Sequence, residues 1–416
     1  MDDDHQKEDN HKKDDDLMME NSHLLDETRI SQLFLDMARI DAPSFQERTV
    51  ADAVIQVLAS LDLVVEEDAA GQVIGGNCGN LLCRIPANWA MRGQDPANQS
   101  LESISRAADC AARTPLLLST HLDTVQPCLD KKIALGDDRV FRSDGTTILG
   151  ADDLAGVVAI LSAIRALDQQ PQPHRGIELL FSVAEEVHLQ GIAQFDATQL
   201  QAKEGYVFDT SGAPGLGVIA APGHLHLTFT VAGRSAHAGI APETGVSAIT
   251  AAARGIAAMR LGRINPRTTA NIGRISGGGE TNIVAEQCIV TAECRSLDPD
   301  ELAAQAQHMC TCMTNAANEL GAELATQIHQ SYHPYQVFEQ EPVARRFQAA
   351  CATIGKTASL IETGGGSDMN VLARAGIRGM VLSCGMQQVH TCAEHLALDD
   401  LIDLTDLVLA LIQSDI

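Results

Sequence analysis

Five short stretches of this 416-residue chain place ionisable side chains where apolar runs end. In Ser-Thr-His-Leu-Asp-Thr, His121 and Asp123 stand two apart, so on an extended strand they share one face. A metal-bound imidazole needs its other ring nitrogen anchored, and Asp123 is placed to do that. In Leu-Gly-Ala-Asp-Asp-Leu, Asp152 and Asp153 precede a very apolar helical stretch. Helix N-capping accounts for Asp153 but leaves Asp152, whose two oxygens can bridge two cations. In Phe-Ser-Val-Ala-Glu-Glu, Glu185 and Glu186 close a buried run, where adjacent carboxylates are costly unless a cation or water receives them. Such a pair suits a division of labour, one carboxylate on metal and the other handling a proton. Asp209 ends Tyr-Val-Phe-Asp, and Val-His-Thr-Cys-Ala-Glu-His near the C-terminus offers His390 or His395.

Each stretch alone has an ordinary explanation as a cap or a strand leaving the core. Together they describe a two-cation centre. Two zinc ions bring four positive charges; Asp152, Glu186 and Asp209 return three, and a bridging hydroxide completes neutrality. Imidazole and carboxylate donors suit zinc, with cobalt or manganese as substitutes.

The elements that must position these residues are legible as well. Asn-Leu-Leu-Cys-Arg-Ile, Pro-Leu-Leu-Leu-Ser-Thr, Gly-Ile-Glu-Leu-Leu-Phe and Gly-Tyr-Val-Phe read as buried strands. Leu-Ala-Gly-Val-Val-Ala-Ile-Leu-Ser-Ala-Ile-Arg-Ala-Leu reads as a helix among them. That alternation predicts an α/β domain with a mixed, mostly parallel sheet between helices, whose carboxyl edge binds ligands. Residues 88–114 interrupt the pattern as a surface insertion, with a helix starting near Ser100. After Gly212 the texture changes: His-Leu-His-Leu-Thr-Phe-Thr-Val alternates as a half-exposed strand does. The spacing predicts a smaller α+β unit over 217–331, interrupting a catalytic domain that occupies 23–216 and 332–416. Residues 1–22 are acidic, low in complexity and expected to be disordered.

The ordered set HLD, GADD, EE, FD and H-T-x-x-E resembles the di-zinc peptidase superfamily of peptidase T, carboxypeptidase G and the aminoacylases, its peptidase T-like members above all. The resemblance runs from about residue 28 to the end. It implies one zinc on His121, Asp152 and Asp209, and a second on Asp152, Glu186 and His390, which selects His390 over His395. It further implies that Asp123 orients His121, that Glu185 is the general base and that the Asp152–Asp153 peptide is cis. In the smaller, lid-like domain it gives His237 to the scissile carbonyl and Asn282 to the substrate. Arg295 falls to a substrate carboxylate, with a lid ion pair as the plainer reading, and Gly365, Gly366 and Ser367 to the substrate backbone or carboxylate, with a tight turn as the plainer reading of the glycines. The implied activity is hydrolysis of short peptides, as an aminopeptidase. An N-acyl-amino-acid deacylase or carboxypeptidase is the alternative within the superfamily, and an inactive metal-dependent binding protein the alternative outside it. In several members the lid also forms a homodimer.

Composition narrows the partners. The formal charge of −26 would repel a phosphate backbone, which speaks against nucleic acid and anionic membranes. The start has no apolar core of a secretory signal, and no apolar stretch is long enough to cross a bilayer. Eleven cysteines, an odd number without a framework, predict reduced thiols in a cytoplasmic protein.

Overall fold

A computed structural model describes residues 26–95 and 99–414; the acidic segment expected over 1–22 lies outside them. The centre is a nine-stranded mixed sheet. Its four middle strands, Ile177–Ser182, Leu116–His121, Glu204–Thr210 and Arg378–Ser383, run parallel in that order. The first two are buried at every position, so they show no alternation of buried and exposed residues, and Glu178, Ser119 and Thr120 are enclosed along with their apolar neighbours. Antiparallel strands Val65–Glu67 and Leu81–Ile85 extend one side. Leu216–Ala221 extends the other, pairing antiparallel with Arg378–Ser383 and parallel with Ser359–Glu362.

The helix Ala151–Gln169 packs against the middle strands and against the helices Glu27–Ala38 and Leu398–Gln413. It is apolar nearly all round and buried from Ala151 through Ile164, as a helix enclosed by protein must be. Gly156 is the point of closest approach: a Cβ there would stand 2.9 Å from both Phe208 Cβ and Thr120 Oγ1. The helix Leu101–Ala112, capped by the Ser100 side chain, stands in the 88–114 excursion. It is tied to the chain end by Arg106, which donates to the Gln413 carbonyl at 2.8 Å.

The second unit is a five-stranded antiparallel sheet, in the order Gly262–Asn265, Thr268–Gly277, Gln287–Ser296, Gly223–Ala232, Glu323–Tyr332. The helices Ala248–Ala258 and Pro299–Leu320 cover one face. Leu227, Phe229 and Val231 point into a core shared with Val290, Met309 and Met313, separate from that of the large sheet. Their partners His226, Thr228 and Thr230 are half-exposed, so the alternation of the sequence is the two-sidedness of this strand. A further four-stranded sheet joins Ile133–Leu135 and Val140–Ser143 to Met386–Gln387 and His395–Ala397. No periodicity announces it, because its strands are two to four residues long. Among the described residues no helix is long and apolar enough to cross a membrane.

Candidate metal centre

The parallel strands deliver their chemistry to one edge. His121 is the last residue of its strand, Glu185 and Glu186 follow Ser182, Asp209 lies near the end of Glu204–Thr210, and His390 lies just beyond the short strand Met386–Gln387 that follows Arg378–Ser383. Asp152 enters from the start of the Ala151–Gln169 helix, at a cis peptide to Asp153. The carboxylate of Asp152 divides its oxygens: Oδ1 lies 3.3 Å from His121 Nε2, and Oδ2 lies 3.1 Å from His390 Nε2. His121 Nε2 is also 3.7 Å from Asp209 Oδ1, and His390 Nε2 is 3.1 Å from Glu186 Oε1. Two groups, His121 with Asp152 and Glu186, and His121 with Glu185 and Asp209, keep their donor atoms within 4.8 Å. His395 turns away, with Nδ1 3.0 Å from the Ala393 carbonyl.

His121 Nδ1 sits 2.9 Å from the main-chain oxygen of Asp123 and 3.6 Å from its carboxylate. The carboxylate accepts instead from Ser44 Oγ at 2.7 Å, Glu185 N at 2.9 Å and Glu186 N at 3.2 Å. Burial works to raise the Asp123 carboxyl, but His121 and these donors outweigh it and hold it below the ordinary range. Asp153 is not the N-cap that its position suggests. Gly150 occupies that place without a side-chain bond, and the buried Asp153 carboxylate takes the Thr120 hydroxyl. The backbone at Asp153 is non-helical, which turns its side chain toward the sheet.

On the smaller unit, His237 and Asn282 are exposed and lie side by side: Ala238 donates to the Asn282 carbonyl at 2.9 Å, and His237 bridges to Ile283. Among the described residues neither makes a hydrogen bond or ion pair with the strand-edge cluster. Arg295 pairs with Glu293 at 3.1 Å, and its Nη1 reaches the Gly364 carbonyl at 3.5 Å. Glu293 also takes His224 Nε2 at 2.9 Å. A Cβ on Gly366 would stand 2.3 Å from the Tyr332 ring, so the loop can pass only as glycine. Ser367 caps the Asp368–Arg374 helix in a reciprocal box with Asn370.

Comparison with known proteins follows this geometry. Residues 104–219 match Peptidase family M28, and residues 219–319 match the Peptidase dimerisation domain. The structure of aminopeptidase PepT from Bacillus cereus is 35% identical, with a TM-score of 0.83 over 94% of this chain and 99% of that one. A Staphylococcus aureus tripeptidase is 34% identical, with a TM-score of 0.84 over 94% of this chain and 98% of that one. The chain belongs to the peptidase T-like metallopeptidases. YqjE of Bacillus subtilis is 34% identical over 94% of this chain and 99% of its own.

For a peptidase T-like chain, the electrostatics of the cluster are those of a cation site. Burial, then Asp152, pushes Asp209 up to about 7; burial, then Asp209, pushes Glu185 well above the carboxylate range; burial raises Glu186. Hydrogen bonding to Asp152 and Glu186 pushes His390 up to about 10. Carboxylates held this close demand positive charge, and the two imidazoles gather protons to supply it. Divalent ions on the same atoms would meet that demand, so the residues present fit such ions.

Two residues without an assigned role also shape this peptidase T-like site. Glu47, fully buried, accepts from Phe45 N at 2.8 Å and Ala184 N at 3.0 Å, bracing the strand end before Glu185. Glu394 accepts from Leu149, Gly150 and Asp152. The sequence signal for Glu394 was its place in H-T-x-x-E; Glu47 has none, being one Glu at the start of a helix.

Proposed function

We propose that this peptidase T-like enzyme is an aminopeptidase acting on short peptides, tripeptides above all, with two zinc ions that cobalt or manganese can replace. The observation that carries the reading is the division of the Asp152 carboxylate between His121 and His390. His121, Asp152 and Asp209 would hold one ion, and Asp152, Glu186 and His390 the other. When bound, the ions supply Lewis acidity, polarising the scissile carbonyl and lowering the pKa of water to about 7. Asp123 holds the chain at Glu185 and Glu186, aiming one carboxylate at metal and the other at the attacking water. Glu185 takes a proton as the water oxygen bonds to the carbonyl carbon, and gives it to the amine nitrogen as the C–N bond breaks.

The lid residues complete the assignment. His237 would polarise the carbonyl and Asn282 would touch the substrate, while Arg295, Gly365, Gly366 and Ser367 would receive its carboxylate end. The exposed position of His237 supports delivery to the site of a second copy, in a homodimer formed through the region that matches the dimerisation domain. Eleven free cysteines support a reducing, cytoplasmic setting. The acidic balance leaves nucleic acid and anionic membranes aside as partners.

The test is Glu185→Ala. It should keep the metal stoichiometry of the wild type and lose about 10²–10⁴-fold in turnover of free tripeptides. Near-normal turnover would overturn the assignment of the base. A metal-replete wild type that hydrolyses N-acetyl amino acids and leaves free tripeptides intact would overturn the aminopeptidase reading.

A further inference from the structure

We propose that Glu394 is a positioning residue that staples the Asp152 turn to the His390 segment and thereby sets the separation of the two ligand sets; the inference rests on the two-metal reading above. Its carboxylate is 1% exposed and fully engaged by backbone. Oε2 accepts Leu149 N at 2.8 Å and Gly150 N at 2.7 Å, and Oε1 accepts Asp152 N at 3.0 Å. These N–H groups lie at the start of a helix, where they have no intrahelical partner. Gly150, in the N-cap place, has no side chain to meet them, and the backbone at Asp152 is not helical. A carboxylate more than two hundred residues away does the capping instead.

The other end of the staple is His390. Glu394 follows it by four residues in a tight turn, its own N–H donating to the Thr391 carbonyl at 3.1 Å. His390 itself has φ 61, a backbone setting that a non-glycine residue keeps only when its surroundings impose it. The two segments joined by Glu394 are the ones whose side chains meet at 3.1 Å, Asp152 Oδ2 to His390 Nε2. Lys131 Nζ is buried beside this turn, 3.1 Å from where a Gly150 Cβ would be, and has no hydrogen-bond partner among the described residues.

The experiment uses the full chain, stripped of metal and titrated with Co2+. Uptake is followed by calorimetry and by the cobalt d–d absorption. Glu394→Gln keeps one carbonyl oxygen but sets an amide donor against a backbone donor. It should bind at least one Co2+ about 10–100-fold more weakly than wild type, with a changed d–d spectrum. Wild-type affinities and spectrum in a variant that only melts lower would overturn the inference, because a purely structural role moves the melting point and not the metal site. If Glu394→Gln does not fold, Glu394→Asp, with the charge kept and the reach one methylene shorter, carries the same test with the same two outcomes. A wild type that binds fewer than two Co2+ would overturn the two-metal reading and this inference with it. An unaffected variant beside a two-Co2+ wild type overturns this inference alone.

Discussion

The carboxylate of Asp123 accepts the backbone N–H of Glu185 at 2.9 Å. Its other oxygen takes Glu186 N and Ser44, so one buried carboxylate fixes the entry of both glutamates into the site. Asp123→Ala removes that anchor and leaves two buried N–H groups unsatisfied. We expect turnover to fall about 10–100-fold, with metal affinity lowered as well. Steady-state kinetics beside metal analysis checks this. Unchanged kcat with weakened metal binding would mean that Asp123 serves His121 alone.

Glu47 gives a pH signature distinct from that of the metal site. Burial, then the charge of Asp123, pushes its carboxyl from 4.5 up to about 7. The folded state therefore holds this proton more tightly than the unfolded chain does. The stability it contributes is complete below about 4.5 and is lost as pH rises toward 7. The span corresponds to at most about 3 kcal/mol. Glu47→Gln can keep both backbone bonds through one oxygen without carrying charge. The unfolding free energy of the variant relative to wild type should therefore improve by about 2–3 kcal/mol between pH 4.5 and 8. Parallel urea titrations at the two pH values measure it, and an equal pH response in both proteins refutes it.

Gly156 sets how closely the central helix approaches the sheet. An added Cβ would meet Asp153 Oδ1 at 2.8 Å as well as Phe208 and Thr120 at 2.9 Å. None of these is the free end of a flexible chain. Gly156→Ala should destabilise the protein by about 1–3 kcal/mol despite the better helix propensity of alanine. It should also disturb the Thr120–Asp153 pair beside the site. A melting curve at or above that of the wild type would contradict this close packing.

Much of this arrangement was legible in the sequence because burial writes itself as pattern. Strands enclosed on both faces, such as Leu116–His121, open with a short apolar run, and the polar residues that close the strand, here Ser119 to His121, mark the sheet edge. The strand Gly223–Ala232 of the smaller unit announces its one-sided burial by alternation. What stayed hidden depends on partners far apart in the chain. Glu394 stands in the H-T-x-x-E motif, yet the motif does not say what the carboxylate holds until the fold brings the start of the Ala151–Gln169 helix to it. Asp153 passed for an N-cap because its position fits one, while the local backbone turns it to Thr120. The small sheet joining Val140–Ser143 to His395–Ala397 pairs strands about 250 residues apart that are too short to show a period.

His390 and His395 stand five apart on one segment, yet only His390 meets the carboxylates, at 3.1 Å from both Asp152 and Glu186. His395 instead belongs to the small sheet, opposite Arg142. The pair makes an internally controlled test. His390→Ala should weaken binding of one metal ion and cut turnover by at least about 100-fold. Addition of zinc in excess should recover part of the activity by mass action. His395→Ala should bind two ions and keep turnover within a few fold, because the hydrogen bond of its ring goes to the Ala393 carbonyl in its own turn and not to the carboxylate cluster. The measurement is metal stoichiometry and kcat for both variants in one buffer, before and after chelation and zinc return. If His395→Ala were the variant that lost metal, the Asp152–His390 contact would not be a ligand geometry, and the two-ion assignment would have to be rebuilt around His121.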